Sequence, residues 1–300
     1  MLRALTAGAA SALIALLAYL LWTLVEGGAP ALAAFGLKFF TGKQWDPVNN
    51  AFGALPFIYG TVVTSTIAIA IALPVSVGLA LLLNEVRSRL VRNPLTVLVD
   101  LLAAIPSIVY GLWGLFVMAP FLNKYLAPAL SATLGRIPGL GSLFVPSPAV
   151  GNMLNAGIIL AIMIVPIITA VSREVIAAVP HDLREAALAL GATRYESIRM
   201  AVLPYARSGI VGATMLGLGR ALGETIAVSM LIGNGLGISA SLLSPGYTIP
   251  AVIANEFREA TSTGLQHSAL LALALTLVAI SFLLAAISRL LVRRSQRMAS

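Results

Sequence analysis

Two charged residues, Arg220 and Glu224, stand inside the apolar segment 208–232 and are the side chains of this sequence best suited to hold an anion. A charge at the centre of a membrane-spanning helix costs at least about 2.5–3.5 kcal/mol, so it should face a bundle interior or an aqueous path. On one helix the two side chains would share a face and could pair. The structural interpretation is therefore a salt bridge at a helix interface.

The functional interpretation of Arg220 and Glu224 is an oxyanion site. A guanidinium offers a planar fork of donors to a tetrahedral oxyanion. A carboxylate beside it would repel a dianion, but it could accept a hydrogen bond from a protonated oxyanion, which phosphate is at neutral pH and sulfate is not. The residues alone leave both interpretations open.

A second pattern lies between residues 179 and 204 and predicts two short helices joined by a glycine. Asp182 is expected to cap the first helix, with Glu185 three residues later in capping-box position. Gly191 suits the left-handed residue that ends such a helix.

The second helix of this pattern should begin with another capping box, Thr193 followed by Glu196, and should stop or bend at Pro204. The small residues Ala186 and Ala187 would let another surface approach the first helix closely. The alternative is an amphipathic hairpin that only ties two membrane spans together.

Composition places both patterns in a membrane protein. Hydrophobic residues make up 59% and charged residues 10% of the chain, against about 45–50% and about 25% in soluble domains. A net charge of +8 without a basic stripe and interleaved aromatics does not indicate nucleic-acid binding. The chain has no cysteine and two distant histidines, so neither a metal site nor a disulfide is expected.

Six segments are apolar and long enough to cross about 30 Å of hydrocarbon as helices. They predict an all-α polytopic protein, with spans at about 4–25, 60–83, 95–122, 150–171, 208–232 and 267–288. The first could pass for a cleaved signal peptide, but its apolar run is longer than a usual signal core of about 7–15 residues. Prolines inside four of the segments predict kinks, at Pro74, Pro106, Pro120 and Pro166.

The basic residues predict the orientation. Most of the 19 lie at the termini or in the loops after the second and fourth spans, among them Arg3, Arg87, Arg293 and Arg294. Because basic residues favour the cytoplasmic side, both termini are expected in the cytoplasm.

The loop pattern resembles the EAA loop of bacterial ABC importer permeases. The family pattern EAA-x3-G-x9-I-x-LP is met by Glu185-Ala186-Ala187, Gly191 and Leu203-Pro204, and only the isoleucine differs, as Ala201. The resemblance implies a type I ABC importer permease fold, with a coupling loop at about 173–207 that seats in an ATP-binding partner. It divides the chain into a first helix and external loop, 1–59, and a permease core, 60–300.

ATP hydrolysis is expected on that partner, which would also hold the Mg²⁺, and no cofactor is expected on this chain. The sequence has no GxxxxGK[ST] phosphate loop, and its one Gly-Lys pair, Gly42-Lys43, continues into Gln44. The chain is therefore expected to be a transport subunit and not an enzyme.

Four further stretches resemble phosphate-importer permeases of the PstC type, and they run over residues 39–47, 52–61, 104–111 and 219–228. This resemblance implies a bacterial inner-membrane protein that pairs with a PstA-type permease, two PstB-type ATPases and a periplasmic PstS-type binding protein. It assigns transport roles to Arg220 and Glu224. Ser107 and Tyr110, which share a helix face, are further candidates for the substrate path, although interhelical hydrogen bonds explain them equally well.

Three alternatives remain at this point. The substrate could be molybdate, tungstate or sulfate instead of phosphate. The chain could take the sister PstA-type role, although its external loop favours PstC. A secondary transporter driven by an ion gradient is disfavoured by the EAA pattern and by the single buried charge pair.

Overall fold

The computed structural model describes residues 2–86, 88–261 and 264–297. Arg87 lies outside them, and so do the side chains of Arg293 and Arg294, so the structure adds nothing on these three basic residues. The described chain is mainly helical. Its helices are α1 (Leu2–Phe35), α2 (Lys38–Thr41), α3 (Leu55–Glu85), α4 (Arg89–Ala104), α5 (Ser107–Trp113), α6 (Ala119–Phe121), α7 (Ala127–Thr133), α8 (Met153–Ala177), α9 (His181–Ala189), α10 (Arg194–Ser197), α11 (Leu203–Gly223), α12 (Ile226–Leu231), α13 (Ile249–Glu256) and α14 (Leu265–Arg297).

Three π-helical turns extend this list. Two of them, Gly114–Met118 and Leu122–Leu126, join α5, α6 and α7 into one rod, and the third, Ile198–Val202, joins α10 to α11. Short 3₁₀ turns follow at Leu134–Arg136 and Gly141–Phe144.

Four helices are long and apolar enough to cross a membrane by themselves, namely α1, α3, α8 and α14. They confirm the first, second, fourth and sixth predicted spans. The helical rod that starts at α5, together with α4, brings the number to at most five. The third predicted span is therefore present as this bent pair of helices, and the fifth, at 208–232, is divided between α11 and α12.

The third predicted span is broken where only a kink was expected. α4 ends at Ala104, α5 begins at Ser107, and the axes on either side meet at 95°. Pro106 has no N–H to donate and disfavours helical geometry in the residue before it. Ile105 is accordingly extended, with φ −66° and ψ 128°.

The core is organised around α8, the most buried of the long helices. In the most apolar stretch of α8, 67% of the residues are buried, against 28% in α3, 22% in α14 and none in α1. Ile159, Leu160, Ile164 and Ile168 lie at its centre, each at most 1% exposed. α3 and α11 pack along α8, so α8 is the fixed element against which the site on α11 is positioned.

A second core closes the end of the bundle near residue 45. Trp45 and Phe52 pair across a two-stranded antiparallel hairpin, β1 (Trp45–Asp46) and β2 (Ala51–Phe52). The Trp45 ring packs edge-on against Phe52 and Phe57, and its Nε1 donates a hydrogen bond of 2.8 Å to Glu256. The predicted external loop is therefore an ordered cap rather than a free connection.

Replacement of Gly60 by alanine is expected to destabilise this end of the bundle. A Cβ at Gly60 would lie 2.2 Å from the Tyr247 carbonyl oxygen, so the backbone of one element would have to move. Overpacking of this kind costs about 1–3 kcal/mol. Thermal unfolding of the purified transporter should show a Tm lowered by several degrees.

Gly78→Ala is the matched control, because Gly78 lies on the same helix and a Cβ there would have nothing within 4 Å. Its Tm should stay at or slightly above that of the parent, since alanine is favoured over glycine in helices by about 0.5–1 kcal/mol. Equal Tm values for the two variants would contradict the proposed close approach.

Candidate functional site

The fifth predicted span breaks at the residue that was expected to complete the charge pair. α11 ends at Gly223, Glu224 has extended backbone with φ −70° and ψ 126°, and α12 starts at Ile226. Glu224 is 8% exposed, and its Oε1 accepts a hydrogen bond of 3.4 Å from the backbone N–H of Ala227. The carboxylate therefore supports the first turn of α12.

Arg220 and Glu224 form no salt bridge in this structure, which corrects the expectation of a pair on one helix face. The side-chain ion pairs among the described residues are Arg173–Glu174 and Arg184–Glu85. Because the helix stops at Gly223, Glu224 turns inward towards α12, whereas Arg220 remains exposed on the last turn of α11. There the guanidinium also lies near the carbonyl end of the helix dipole, which favours a cation.

The face of α11 that carries Arg220 is open. Leu216 is 59% exposed, and a Cβ at Gly212, Gly219 or Gly223 would have nothing within 4 Å. Gly217, on the other side, packs against Ile168 of α8. An exposed arginine on an apolar helix should face protein or water rather than lipid, so this face suits a second subunit or a substrate path.

A break in a helix at membrane depth supports the same conclusion. Non-helical backbone is tolerated there only when protein buries it or water reaches it, and discontinuous helices often mark the substrate site of a transporter. Sequence reasoning missed this break. Gly223 as a helix-ending residue and Thr225 as the residue before α12 were the available signals.

The break is braced by the start of α5. Tyr110 is 7% exposed, and its hydroxyl donates a hydrogen bond of 2.8 Å to the Leu102 carbonyl at the end of α4. A Cβ at the neighbouring Gly111 would lie 3.1 Å from Ala227 Cα, so α5 and α12 pack closely. Tyr110 thus closes the α4–α5 corner beside α12, and Ser107 is the half-buried first residue of α5.

The helix–glycine–helix hairpin predicted at 179–204 is present as α9 and α10. Gly191 has φ +86°, the left-handed geometry expected of it. The N–H groups of Gly191 and Ala192 donate to the carbonyls of Leu188 and Ala187, at 3.0 and 3.1 Å. These two bonds are the Schellman motif that ends a helix with a left-handed residue.

The predicted capping box of the second helix is also confirmed. Glu196 accepts hydrogen bonds from the Thr193 backbone N–H and hydroxyl, at 2.7 and 2.8 Å, while its own N–H donates to the Thr193 hydroxyl. The backbone bond, followed by the hydroxyl bond, lowers the pKa of the Glu196 carboxyl. The carboxylate form that makes the box is therefore favoured at neutral pH.

Two details of the hairpin differ from expectation. Pro180, not Asp182, precedes the first turn of α9, and Asp182 lies inside that turn, where a negative charge suits the helix dipole. Pro204 does not end the second helix. The π turn before it, closed by the Leu203 N–H bond to Ile198 O, carries the chain into α11 with Pro204 in the first turn, where a missing N–H is tolerated.

One consequence is a continuous helical rod from Arg194 to Gly223. At about 1.5 Å per residue this rod is about 45 Å long. It connects the hairpin at one end to Arg220 at the other.

The hairpin offers an exposed surface. Glu185, Ala186 and Gly191 are exposed, as are three large apolar side chains, Leu190 at 90%, Tyr195 at 70% and Leu188 at 46%. Clustered exposed apolar groups rimmed by polar residues mark protein interaction sites. Ala187 and Leu203 are partly buried, and Pro204 is exposed.

An ion pair between Arg184 and Glu85 fixes this surface to the bundle. Arg184 Nη1 lies 2.6 Å from Glu85 Oε1, with side chains 23% and 32% exposed. Arg184→Glu would turn the attraction into repulsion, a change of about 1 kcal/mol or more for a partly exposed pair. Chymotrypsin should then cleave the hairpin at Tyr195 several times faster than in the parent.

The charge-swapped double variant, Glu85→Arg with Arg184→Glu, is the control for this prediction. It restores opposite charges, so the cleavage rate should return close to that of the parent. A double variant as susceptible as the single one would show that the pair does not hold the hairpin.

Similarity to known proteins accords with this geometry. Residues 72–297 match the family described as "Binding-protein-dependent transport system inner membrane component". A relative from Xylella fastidiosa, "Phosphate transport system permease protein PstC", is 48% identical over 98% of this chain and 90% of its own length. Its namesake from Haemophilus influenzae is 44% identical, over 94% and 89%.

Solved structures agree on the fold. A chain of the MetNI methionine ABC transporter in an inward-facing conformation superposes with a TM-score of 0.55, at 20% identity, over 81% of this chain and 94% of that one. At that identity the likeness concerns architecture alone. It confirms the all-α ABC importer permease fold expected from the EAA pattern.

The extent of the family match and the identity to these relatives settle the membership of the chain. It is a multi-pass inner-membrane protein and a transport component rather than an enzyme, working in an ABC system with an ATPase and a binding protein. The chain belongs to the binding-protein-dependent transport system inner membrane components and, within them, to the PstC permeases.

Proposed function

We propose that this chain is a transmembrane subunit of an ATP-driven phosphate importer and forms half of the translocation path. The observation that carries the proposal is the continuous rod from the exposed hairpin to Arg220. It links a surface suited to a partner with a face suited to an oxyanion. The names of the relatives, phosphate transport system permeases, supply the substrate.

Two open surfaces fit two kinds of partner. The hairpin at Glu185–Ala187 and Gly191 would seat in a PstB-type ATPase, one of a pair that holds ATP and Mg²⁺. The face of α11 with Gly212, Gly219 and Arg220 would meet a PstA-type permease across the path. A PstS-type binding protein would deliver phosphate at the outer end. In this arrangement both termini lie in the cytoplasm, and this chain carries no cofactor.

The chemistry at the path follows from the broken helix. Arg220 would offer its guanidinium fork to phosphate oxygens, and charge-assisted bonds of this type are roughly twice as strong as neutral ones. Glu224 would act in two ways, by holding α12 and by accepting a hydrogen bond from a phosphate that keeps a proton. Sulfate has no such proton at neutral pH, so the carboxylate would select against it.

ATP-driven closure of the two ATPases would push on the hairpin. The force would reach the α11–α12 break through the rod, because a packed helix moves as a body rather than deforming continuously. ATP binding would thus bias a two-state element between inward and outward openings.

Transport competition in reconstituted vesicles is the test. The complex purified through a tag on this chain should contain an ATPase, a second permease and phosphate-uptake activity when ATP and the binding protein are supplied. A tenfold excess of molybdate, tungstate or sulfate should leave phosphate uptake nearly unchanged. Stronger competition by one of these anions would reassign the substrate, and uptake that persists without the ATPase would overturn ATP coupling.

A further inference from the structure

A basic cavity lies at the hairpin end of the bundle, away from the α11–α12 break. It measures about 570 Å³ and is bounded by the last turns of α3 and α8 and the first turns of α4. Among the residues that the structure describes, its polar lining consists of Arg92, Asn93, Thr96, Asn84, Arg173 and Glu174. None of these residues was singled out by a motif, and the path through Arg220 does not use them.

One wall of the cavity is fixed by a hydrogen bond between α3 and α8. The Asn84 amide donates to the carbonyls of Ala80 and Arg173, at 2.9 and 3.1 Å, and so ties the end of α3 to α8. On the third side α4 is held by Val99, which is 5% exposed. The cavity is therefore a property of the packed helices rather than a gap between loose ends.

The charge of the lining is positive. Arg92 and Arg173 contribute two guanidinium groups and Glu174 one carboxylate. Arg173 is 22% exposed, whereas Glu174 is 76% exposed and lies 3.8 Å away, so water screens the carboxylate more than the guanidinium. Arginine forks beside amide and hydroxyl groups suit a phosphoryl group, which presents several acceptor oxygens.

The position of the cavity limits which phosphoryl compounds can reach it. α8 runs directly into the hairpin, and Glu85, next to Asn84, is the residue that anchors Arg184. Under the orientation proposed above, this end faces the cytoplasm. Phosphoryl groups reach it there from two sources, phosphate leaving the path and the headgroups of anionic phospholipids of the inner leaflet.

We infer that the cavity between α3, α4 and α8 is a second oxyanion site, which binds a phosphoryl group through Arg92 and Arg173. It differs from the Arg220 site in location and in composition. Occupation of the site would bridge α4 to α8 directly beneath the hairpin. The inference does not depend on which anion the permease carries.

The test uses the complete membrane complex without its binding protein and compares Arg92→Gln/Arg173→Gln with Arg89→Gln. Arg89 belongs to the same helix but does not line the cavity. One arm measures labelled inorganic phosphate by equilibrium dialysis in an Arg220→Gln background, which removes the path site. The other arm counts bound phosphatidylglycerol by native mass spectrometry after reconstitution into mixed phosphatidylglycerol and phosphatidylcholine vesicles.

Affinity for one probe should fall about tenfold for each guanidinium removed, because each supplies a charge-assisted hydrogen bond, and Arg89→Gln should bind like the parent. If the double variant loses binding of labelled phosphate in the dialysis arm, the ligand is free phosphate. If it loses bound phosphatidylglycerol in the lipid arm, the ligand is a lipid headgroup. Equal binding by the double variant and the Arg89 control, or no binding of either probe by the parent, would overturn the inference. Loss of the co-purifying ATPase with unchanged binding of both probes would also overturn it, because the arginines would then contact protein.

If the double variant does not assemble, Arg92→Gln alone decides the question. Arg92 is exposed, so its replacement should not disturb the packing. An unchanged affinity in that variant would reject the site.

Discussion

Arg220→Gln is expected to lower ATP-driven phosphate uptake by about tenfold to hundredfold while the complex still assembles, since a lost hydrogen bond to a charged group costs about 1.5–3 kcal/mol. Glutamine keeps much of the length of arginine and a polar end but removes the charge and the fork. Because Arg220 is exposed on the open face of α11 and makes no ion pair with Glu224, its loss leaves no buried charge uncompensated in this chain. The effect should therefore fall on transport rather than on folding.

The measurement is the initial rate of labelled phosphate uptake in vesicles, with assembly checked by size-exclusion chromatography. Arg207→Gln is the matched control, since Arg207 is another exposed arginine of α11, more than three turns from the break. It should transport within about twofold of the parent, because exposed charges generally contribute little. Parent-like uptake by Arg220→Gln in an assembled complex would rule out Arg220 as the anion-binding residue.

The sequence predicts local structure correctly where the stabilising contacts all lie within one short segment. Gly191, Thr193 and Glu196 form their turn and capping box from bonds within a few residues, so the hairpin followed from sequence spacing alone. Long apolar runs likewise predict spans, because in lipid the backbone must satisfy its own hydrogen bonds.

The breaks between α4 and α5 and between α11 and α12 could not be predicted from such local patterns. Pro74 and Pro166 lie inside unbroken helices, whereas Pro106 lies in the 95° corner between α4 and α5, although all three stand in similar apolar surroundings in the sequence. The difference is tertiary: the Tyr110 hydroxyl bonds the Leu102 carbonyl and so supports the corner. A hydroxyl eight residues away in sequence cannot be assigned to this carbonyl before the bend is known.

The break at Glu224 has the same character. Four residues of spacing predicted one helix face and therefore a charge pair with Arg220. What stabilises the observed geometry is the Ala227 N–H and the close packing of α12 on Gly111, contacts that a helical wheel does not contain. The cap around Trp45 is a further case, since its indole partner, Glu256, is 211 residues further along the chain.

Gly191→Val is expected to uncouple the transporter, with ATP-driven uptake reduced by about tenfold or more. The left-handed geometry costs an ordinary residue roughly 1–2 kcal/mol, and a β-branched one is a still worse fit. Nothing lies within 4 Å of a Cβ at Gly191, so the substitution acts through the backbone angle of +86° alone. Relief of that strain would break the two Schellman hydrogen bonds, from Gly191 and Ala192, and would change the angle between α9 and the helical rod.

Gly191→Asn separates the backbone angle from side-chain bulk, because asparagine enters the left-handed region with little penalty. It should retain most of the uptake, whereas the valine variant should lose it and should also lose the stimulation of ATP hydrolysis by substrate. Uptake and hydrolysis are both measured in vesicles, with the amount of bound ATPase determined on the same preparations. An equal loss of uptake in the asparagine and valine variants would place a partner surface against residue 191. Parent-like coupling in the valine variant would mean that force does not pass from this turn to Arg220 along the helix that joins them.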